Sequence, residues 1–180
     1  HNRVLEQLSE GVSLEESLAD LLTCTEQIFP DSVTSIHLID KDRRVLQRSI
    51  APSLPTTFRE GMNGVKIAPA NGCSAHAAYK KERILCEDVT LMPYSSNIKQ
   101  RAAQASLRSC WAEPIFSTRN EVIGVVAIYH SVRGLPNDNQ LELLQSVGQF
   151  AGIAIERHLT EEALRESEIK WRALIAHMPD

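Results

Sequence analysis

Apolar residues recur at helical spacing near both ends of the chain. In the first segment, Ser13 and Glu16 form a capping box ahead of a series that Pro30 ends. That series consists of Leu14, Leu18, Leu21, Leu22 and Ile28. The second series follows Pro136 and consists of Leu141, Leu144, Val147, Ala151, Ala154 and Ile155. Both patterns predict amphipathic helices. Because no helix breaker occurs before Pro179, the second helix is predicted to extend well past residue 160.

Four strand patterns lie between these helices. They cover residues 33–40, 44–50, 109–116 and 121–129. Short turn signals join the first two and the last two, which predicts two hairpins. The VIGVVAI run in the last strand is apolar at almost every position. Such a run is typical of a strand that is buried on both faces, so the sheet is predicted to be covered on each side.

The middle of the chain is less regular. It predicts short helices over residues 52–61, 73–81 and 97–105, with one short strand over residues 83–87. Ser53 is the expected cap of the first of these helices. The order of elements predicts an α+β sandwich. Its five- or six-stranded, mostly antiparallel sheet carries the terminal helices on one face, and the loops and short helices of residues 54–105 roof a pocket on the other.

Composition excludes several classes of function. The 180 residues carry a net charge of −4 with the two signs well mixed, which disfavours nucleic-acid binding. No apolar run approaches the roughly 20 residues of a membrane span, and no signal peptide is visible. The four cysteines form no C-x-x-C pair or zinc pattern, so we expect reduced thiols in a cytoplasmic protein. Because the chain begins at His1, we expect a fragment of a longer protein.

Three segments occur in an order that carries a family resemblance. They are SIHLID with its hairpin, NGCSAHAAYKKERILCEDV, and LRSCWAEPIFSTRNEVIGVVAIYH. Over residues 12–159 the chain resembles a GAF domain, the small-molecule sensor fold of signalling proteins. The resemblance implies a GAF-like sheet and a regulatory role without catalysis. It also implies that the terminal helices pair in a homodimer.

The C-terminal segment LRESEIKWRALIAHMPD resembles the opening of a PAS domain. The expected organisation is an entering helix or linker over residues 1–11, a GAF domain over 12–159, and a signalling-helix linker with the first PAS residues over 160–180. A GAF domain followed by a PAS domain is typical of sensors that end in a histidine kinase or a cyclic-di-GMP enzyme. The parent protein is therefore expected to be one of these.

The motifs of the well-known GAF ligands are absent. Cyclic-nucleotide GAF domains carry an Asn-Lys pair, a Phe and an Asp-Glu pair, and none of these occurs in the matching residues 129–140. Covalent bilin attachment needs a cysteine, usually followed by histidine, where this chain has Asn97-Ile98. The sequence carries no bilin, haem or cyclic-nucleotide motif, so the cofactor or ligand stays unknown.

A thiol enzyme is an alternative. Cys73 stands where free methionine sulfoxide reductases of the same fold also have a cysteine, with Cys110 as a conceivable partner. Their reactive cysteines precede the late hairpin, however, and residues 89–105 contain none. Cys73 and His76 share a helix face, but two ligands fall short of a metal site. We therefore expect Cys73 to pack as a small hydrophobe and His76 to be a polar pocket or surface residue, with no catalytic or metal-ligating residue.

Seven residues are candidates for the pocket. They are Cys73, His76, Asp88, Tyr94, Ile98, Trp111 and Glu113. Trp111 is either a core aromatic or a pocket wall. Asp88 suits a helix or loop cap. Glu113 either anchors a cationic or hydroxylated ligand or pairs with Arg108 at the sheet edge. His37 is expected to be a satisfied core histidine.

Two functions remain open. In the first, an unidentified small molecule binds under the roof, and the helix over residues 137–176 relays the change to a downstream domain. In the second, the domain is a ligand-free dimerisation spacer whose pocket is filled by Trp111, Tyr94 and Met92. The sequence alone does not separate them.

Overall fold

Six strands form one antiparallel sheet in the computed structural model, which describes residues 13–179. The strands are β1 (Ser32–Asp40), β2 (Val45–Ile50), β3 (Val65–Lys66), β4 (Ile84–Cys86), β5 (Ser109–Phe116) and β6 (Val122–His130). Their spatial order is β3-β2-β1-β6-β5-β4, and every neighbouring pair is antiparallel. The two hairpins therefore meet through β1 and β6. The prediction of a mostly antiparallel α+β sheet is confirmed.

Two long helices cover one face of the sheet. They are α1 (Leu14–Ile28) and the C-terminal helix α5 (Asp138–Ala176). Ser13 caps α1, as predicted, by accepting a hydrogen bond from the Glu16 backbone N–H. The helix α5 begins with a capping box formed by Asn137 and Gln140. Its 39 residues span about 58 Å, so it reaches far beyond the sheet.

Short elements roof the other face. They are α2 (Thr56–Met62), α3 (Cys73–Lys80), a 3₁₀ turn (Val89–Leu91) and α4 (Ser96–Gln104). Together with the roof side of the sheet they bury a separate apolar cluster. Phe58 from α2 packs edge-on against Tyr129 from β6, with ring centroids 5.7 Å apart. The sheet therefore lies between two cores, as the continuous apolar run of its last strand predicted.

The structure differs from the sequence-based prediction in the short elements of the middle of the chain. Ser53 does not cap α2, because its hydroxyl donates to the Glu26 carboxylate instead, and the helix begins after Pro55. The two-residue strand β3 was not predicted, since it is too short for any alternation to be visible. The entering helix or linker expected over residues 1–11 lies outside the described residues. None of the helices in residues 13–179 is both long and apolar enough to cross a membrane.

A buried polar network lies on the roof side of β1. His37 is fully buried, and its two ring nitrogens lie 2.9 Å from Ser35 Oγ and 2.7 Å from Ser49 Oγ. Ser35 Oγ is in turn 3.0 Å from the Tyr129 hydroxyl. His37 is thus a satisfied core histidine, as predicted, and its network fixes Tyr129. Burial lowers the pKa of His37 to about 4, so the ring is neutral at pH 7.

Acid is therefore expected to destabilise the fold through His37. The unfolded chain takes up the proton near pH 6.5, whereas the folded protein does so only near pH 4. The free energy of unfolding should fall by about 3 kcal/mol between these pH values. Urea unfolding across pH 4–7 measures this slope, and His37→Gln should flatten it. An NMR titration in which the wild-type imidazole protonates above pH 6 would contradict the assignment.

The packing of α5 on the sheet yields a stability prediction. Leu144 is completely buried between α5, α1 and the sheet. Leu144→Ala should cost about 2–5 kcal/mol in the free energy of unfolding, because it leaves a cavity. Leu91→Ala is the control, since Leu91 is 74% exposed and its truncation should change stability by less than about 0.5 kcal/mol. Equal urea midpoints for the two variants would contradict this packing.

Candidate ligand-binding cavity

A cavity lies between the sheet and the roof. About 40 Å³ is open to water-sized molecules, which is room for very few of them. The sheet contributes Cys110 and Tyr129 to its wall. The roof and its loops contribute Phe58, Met62, Gly72, Cys73, Ser74, Val89, Tyr94, Ile98, Arg101, Ala102 and Leu107. The lining is mainly apolar with a few polar groups, which is the usual composition of a small-molecule site.

The start of α3 shapes one wall of this cavity. Gly72 has a φ of +101°, a conformation that other residues rarely adopt. A Cβ at this position would also lie 3.2 Å from Ile98 Cγ2. Beyond Gly72, small residues such as Ala75 and Ala77 are fully buried and let α3 lie close to the sheet. The predicted close-packing helix is confirmed, and it holds Cys73 and Ser74 at the cavity.

Tyr94 closes the roof with its phenol ring. Its hydroxyl lies 3.2 Å from His76 Nδ1, and the two rings meet edge to face. Burial raises the pKa of Tyr94 far above its usual value, so the phenol is neutral. Burial, followed by the nearby charge of Lys80, lowers the pKa of His76. Tyr94 lines the cavity, whereas His76 contacts Tyr94 and does not line the cavity itself.

The floor of the cavity carries hydroxyl groups. The Tyr129 hydroxyl interacts with Ser35, and burial raises its pKa well above the usual range. Ser74 Oγ is buried and forms no hydrogen bond of normal geometry within residues 13–179, but the Tyr129 hydroxyl is close enough to be its weak partner. The polar end of the cavity is therefore at Ser74 and Tyr129.

Trp111 does not lie at the cavity. Its ring packs in the core between the sheet and the terminal helices, and its Nε1 donates to the Gly134 carbonyl oxygen at 3.0 Å. The pocket-wall interpretation is therefore wrong, and the core interpretation with a satisfied N–H is confirmed. The reason is strand alternation: Cys110 and Ala112 face the roof, so Trp111 must face the helices.

Glu113 also faces away from the cavity. It shares the helix side of β5 with Trp111 and forms an ion pair with Arg83. Its Cγ lies against Gly148 of α5, where an added Cβ would be 3.4 Å away. Its role as a ligand anchor is therefore wrong, as is its predicted pairing with Arg108.

Asp88 has the capping role that its position suggested. Its carboxylate accepts hydrogen bonds from the Thr90 backbone N–H at 3.0 Å and from two nitrogens of Arg108 at 2.8 and 2.9 Å. The Arg108 guanidinium, followed by the hydrogen bonds from Thr90, holds the pKa of Asp88 well below its usual range. Asp88 does not line the cavity; it fixes the loop that enters the roof.

Three of the four cysteines are buried on the roof side. Cys73 Sγ donates to the Cys110 carbonyl oxygen at 3.2 Å, and Cys86 is the register partner of Cys110. Burial raises the pKa of Cys86 to about 12 and also raises that of Cys110. Redox enzymes need an accessible thiolate of low pKa, so these two thiols do not suit that chemistry. No group of three or more possible metal ligands is found in residues 13–179.

Several lining residues were missed by sequence reasoning. Tyr129 carried a usable signal, because the alternation that places Ala127 on the roof side also places Tyr129 there. Phe58, Met62, Arg101 and Leu107 carried no such signal, since they come from irregular segments that meet only in the fold. Of the predicted candidates, Cys73, Tyr94 and Ile98 line the cavity directly.

Comparison with known proteins agrees with this geometry. The sequence profile of the GAF domain matches residues 12–156. The chain is 32% identical over 179 residues to the methyl sulfide methyltransferase-associated sensor of Methanosarcina acetivorans. That alignment covers 99% of this chain but only 18% of the relative, so the chain corresponds to a small part of a larger sensor.

Solved structures share the fold at low identity. The GAF domain of a phosphoenolpyruvate-protein phosphotransferase from Coxiella burnetii has a TM-score of 0.70 at 14% identity, over 90% of this chain and 94% of that chain. A free methionine-R-sulfoxide reductase from Neisseria meningitidis has a TM-score of 0.61 at 17% identity, over 80% and 78% of the respective chains. These likenesses establish the fold alone. Profile, relative and fold together show that this chain belongs to the GAF domain family, whose sensor domains are generally non-catalytic.

Proposed function

We propose that this domain binds a small molecule in the roofed cavity and relays its presence through α5 to a downstream PAS and output module. The observation that carries this proposal is the double role of β5 and β6. Their residues Cys110 and Tyr129 form the cavity floor. Their opposite faces pack against α5 through residues such as Ile115 and Ile128. A ligand in the cavity and the helix α5 would therefore contact opposite faces of the same two strands.

The contact between α5 and the sheet leaves little room for independent movement. A Cβ at Gly152 would lie 3.1 Å from the Phe116 carbonyl oxygen, and one at Gly148 would touch Glu113 and Val126. Packed elements at such distances shift together rather than slide freely. A ligand that moves Tyr129 or Cys110 therefore changes the preferred position of α5, provided it favours one position over the other.

The distal part of α5 supplies the output. Large apolar side chains remain more than half exposed there, at Leu159, Leu164, Ile169, Trp171 and Leu174. We propose that they pair with a second copy, and that residues 160–180 connect the GAF domain of 12–159 to a PAS domain, with residues 1–11 as the entering linker. The output module would be a histidine kinase or a cyclic-di-GMP enzyme. A cytoplasmic location also remains a prediction.

A second function is favoured by the small volume of the cavity. At about 40 Å³ it accepts no drug-sized ligand without opening, which suits a ligand-free dimerisation spacer. Of the residues that this hypothesis placed in the pocket, Tyr94 lines the cavity, Met92 packs against the roof-side core without lining the cavity, and Trp111 belongs to the other core. The two functions differ in one property, which is whether the roof opens for a small molecule.

A cavity-filling variant tests ligand binding. Ala102 lies on the cavity wall, and Ala103 is exposed on the same helix. In a thermal-shift screen of small metabolites, at least one compound should raise the Tm of wild type and of Ala103→Leu but not of Ala102→Leu. At one hundred times its Kd such a compound adds about 2.7 kcal/mol of stability. Circular dichroism confirms that both variants are folded. A screen in which no compound distinguishes the variants would favour the spacer.

Dimerisation has its own test. Sedimentation of the full 180-residue chain should show a dimer, because the exposed apolar residues of α5 lose contact with water on pairing. Leu164→Glu combined with Trp171→Glu should shift the protein toward the monomer by at least tenfold in Kd. Glu166→Gln, an exposed change on the same helix, serves as the control. A wild-type monomer at high concentration would count against pairing.

A further inference from the structure

We infer that the ligand of the cavity is a small monoanion, a carboxylate on a short apolar body, and that Arg101 selects its charge. This inference rests on the proposed function and names the chemical class that the site would take. It depends on two features of the cavity: a cation in its wall that has no carboxylate partner, and the absence of any lining acid.

Arg101 is the cation. It lies on α4 and is one of the residues that line the cavity. Its Nη1 is 3.6 Å from the sulfur of Met62, a weak acceptor that also lines the cavity, and its Nε lies beside Gly61, where an added Cβ would be 2.6 Å away. No carboxylate within residues 13–179 lies within 4.0 Å of it. Arg83 and Arg108 differ, since Arg83 pairs with Glu113 and Arg108 with Asp88. Arg101 is half-buried, and its guanidinium has further N–H donors besides the one directed at Met62, which an incoming anion could accept.

No other lining residue carries a formal charge at pH 7. Tyr94 and Tyr129 are neutral phenols because burial raises their pKa values, and burial likewise favours the neutral thiol of Cys110. The nearest basic neighbour on α4, Lys99, directs its Nζ to the Thr90 carbonyl oxygen at 3.3 Å. The field inside the cavity is therefore set by the Arg101 guanidinium. An anionic ligand is favoured there, and a cationic one is disfavoured.

The other lining residues restrict the size and polarity of the part of the ligand that carries the carboxylate. Phe58, Val89, Ile98 and Leu107 surround the space with apolar surface. Ser74 and Tyr129 contribute hydroxyl groups to the lining, and a hydroxyl can donate to a second ligand oxygen. A body of three or four carbon atoms suits a cavity of this size, because each further carbon must be accommodated by movement of the roof. A short branched carboxylate meets these requirements.

An isosteric pair of probes isolates the charge. 2-Methylpropanoate and 2-methylpropanamide have the same shape, and only the first is ionised at pH 7. Titration of each into the ¹⁵N-labelled 180-residue chain should shift the backbone amides of Gly72, Ser74 and Tyr129 at the cavity. We expect the carboxylate to bind at least tenfold more tightly than the amide. A guanidinium and a carboxylate form two parallel charge-assisted hydrogen bonds, whereas the amide cannot.

Variants on one helix complete the test. Arg101→Gln should abolish the tenfold preference while leaving amide binding in place, and Arg101→Lys should retain part of it. Lys99→Gln is the matched control and should keep the full preference. Equal binding of both probes to wild type would overturn the charge inference and leave the cavity function standing. Shifts confined to residues away from the cavity, or none up to 50 mM, would also overturn it. The separate screen of Ala102→Leu against Ala103→Leu then decides the proposed function.

Discussion

Burial of β6 on both faces is the constraint on which the rest of the domain depends. Val125, Ala127 and Tyr129 lie in the roof-side core, while Val126 and Ile128 lie in the helix-side core. The strand also pairs with β1 on one edge and β5 on the other, so it has no free side. Because both cores share this strand, neither the roof nor the terminal helices can be rearranged without a response from the other layer.

Regular elements were predictable because their patterns are local. Strand alternation predicted both ends of β5 correctly. Helical spacing predicted the first residue of α1 correctly and the first residue of α5 to within one position. Alternation correctly put the two candidates Trp111 and Glu113 on one face of β5, but it does not say which face meets the roof. The fold places Cys110 and Ala112 on the roof side, so Trp111 and Glu113 face α5.

The cavity itself was only partly predictable, because its wall is assembled from segments with no shared period. Cys73 became a candidate through the resemblance to free methionine sulfoxide reductases and Ile98 through the bilin-attachment position, and both line the cavity. Arg101 was not, since a surface arginine and a cavity arginine look alike in sequence, and only the fold places Arg101 in the cavity wall. Whether two charged residues that are distant in sequence form an ion pair is a property of the tertiary structure.

The small cavity and the sensor function are compatible if the roof has two states. The roof encloses about 40 Å³, and opening it would expose the apolar lining at a cost in free energy. If the open state were populated at about 1%, the apparent affinity would be about a hundredfold weaker than the intrinsic one. The same two-state equilibrium is what would allow sensing, because a ligand shifts the populations of the two states only if it binds one of them more tightly. Since β6 belongs to both cores, the same opening would change the support under α5, as the proposed relay requires.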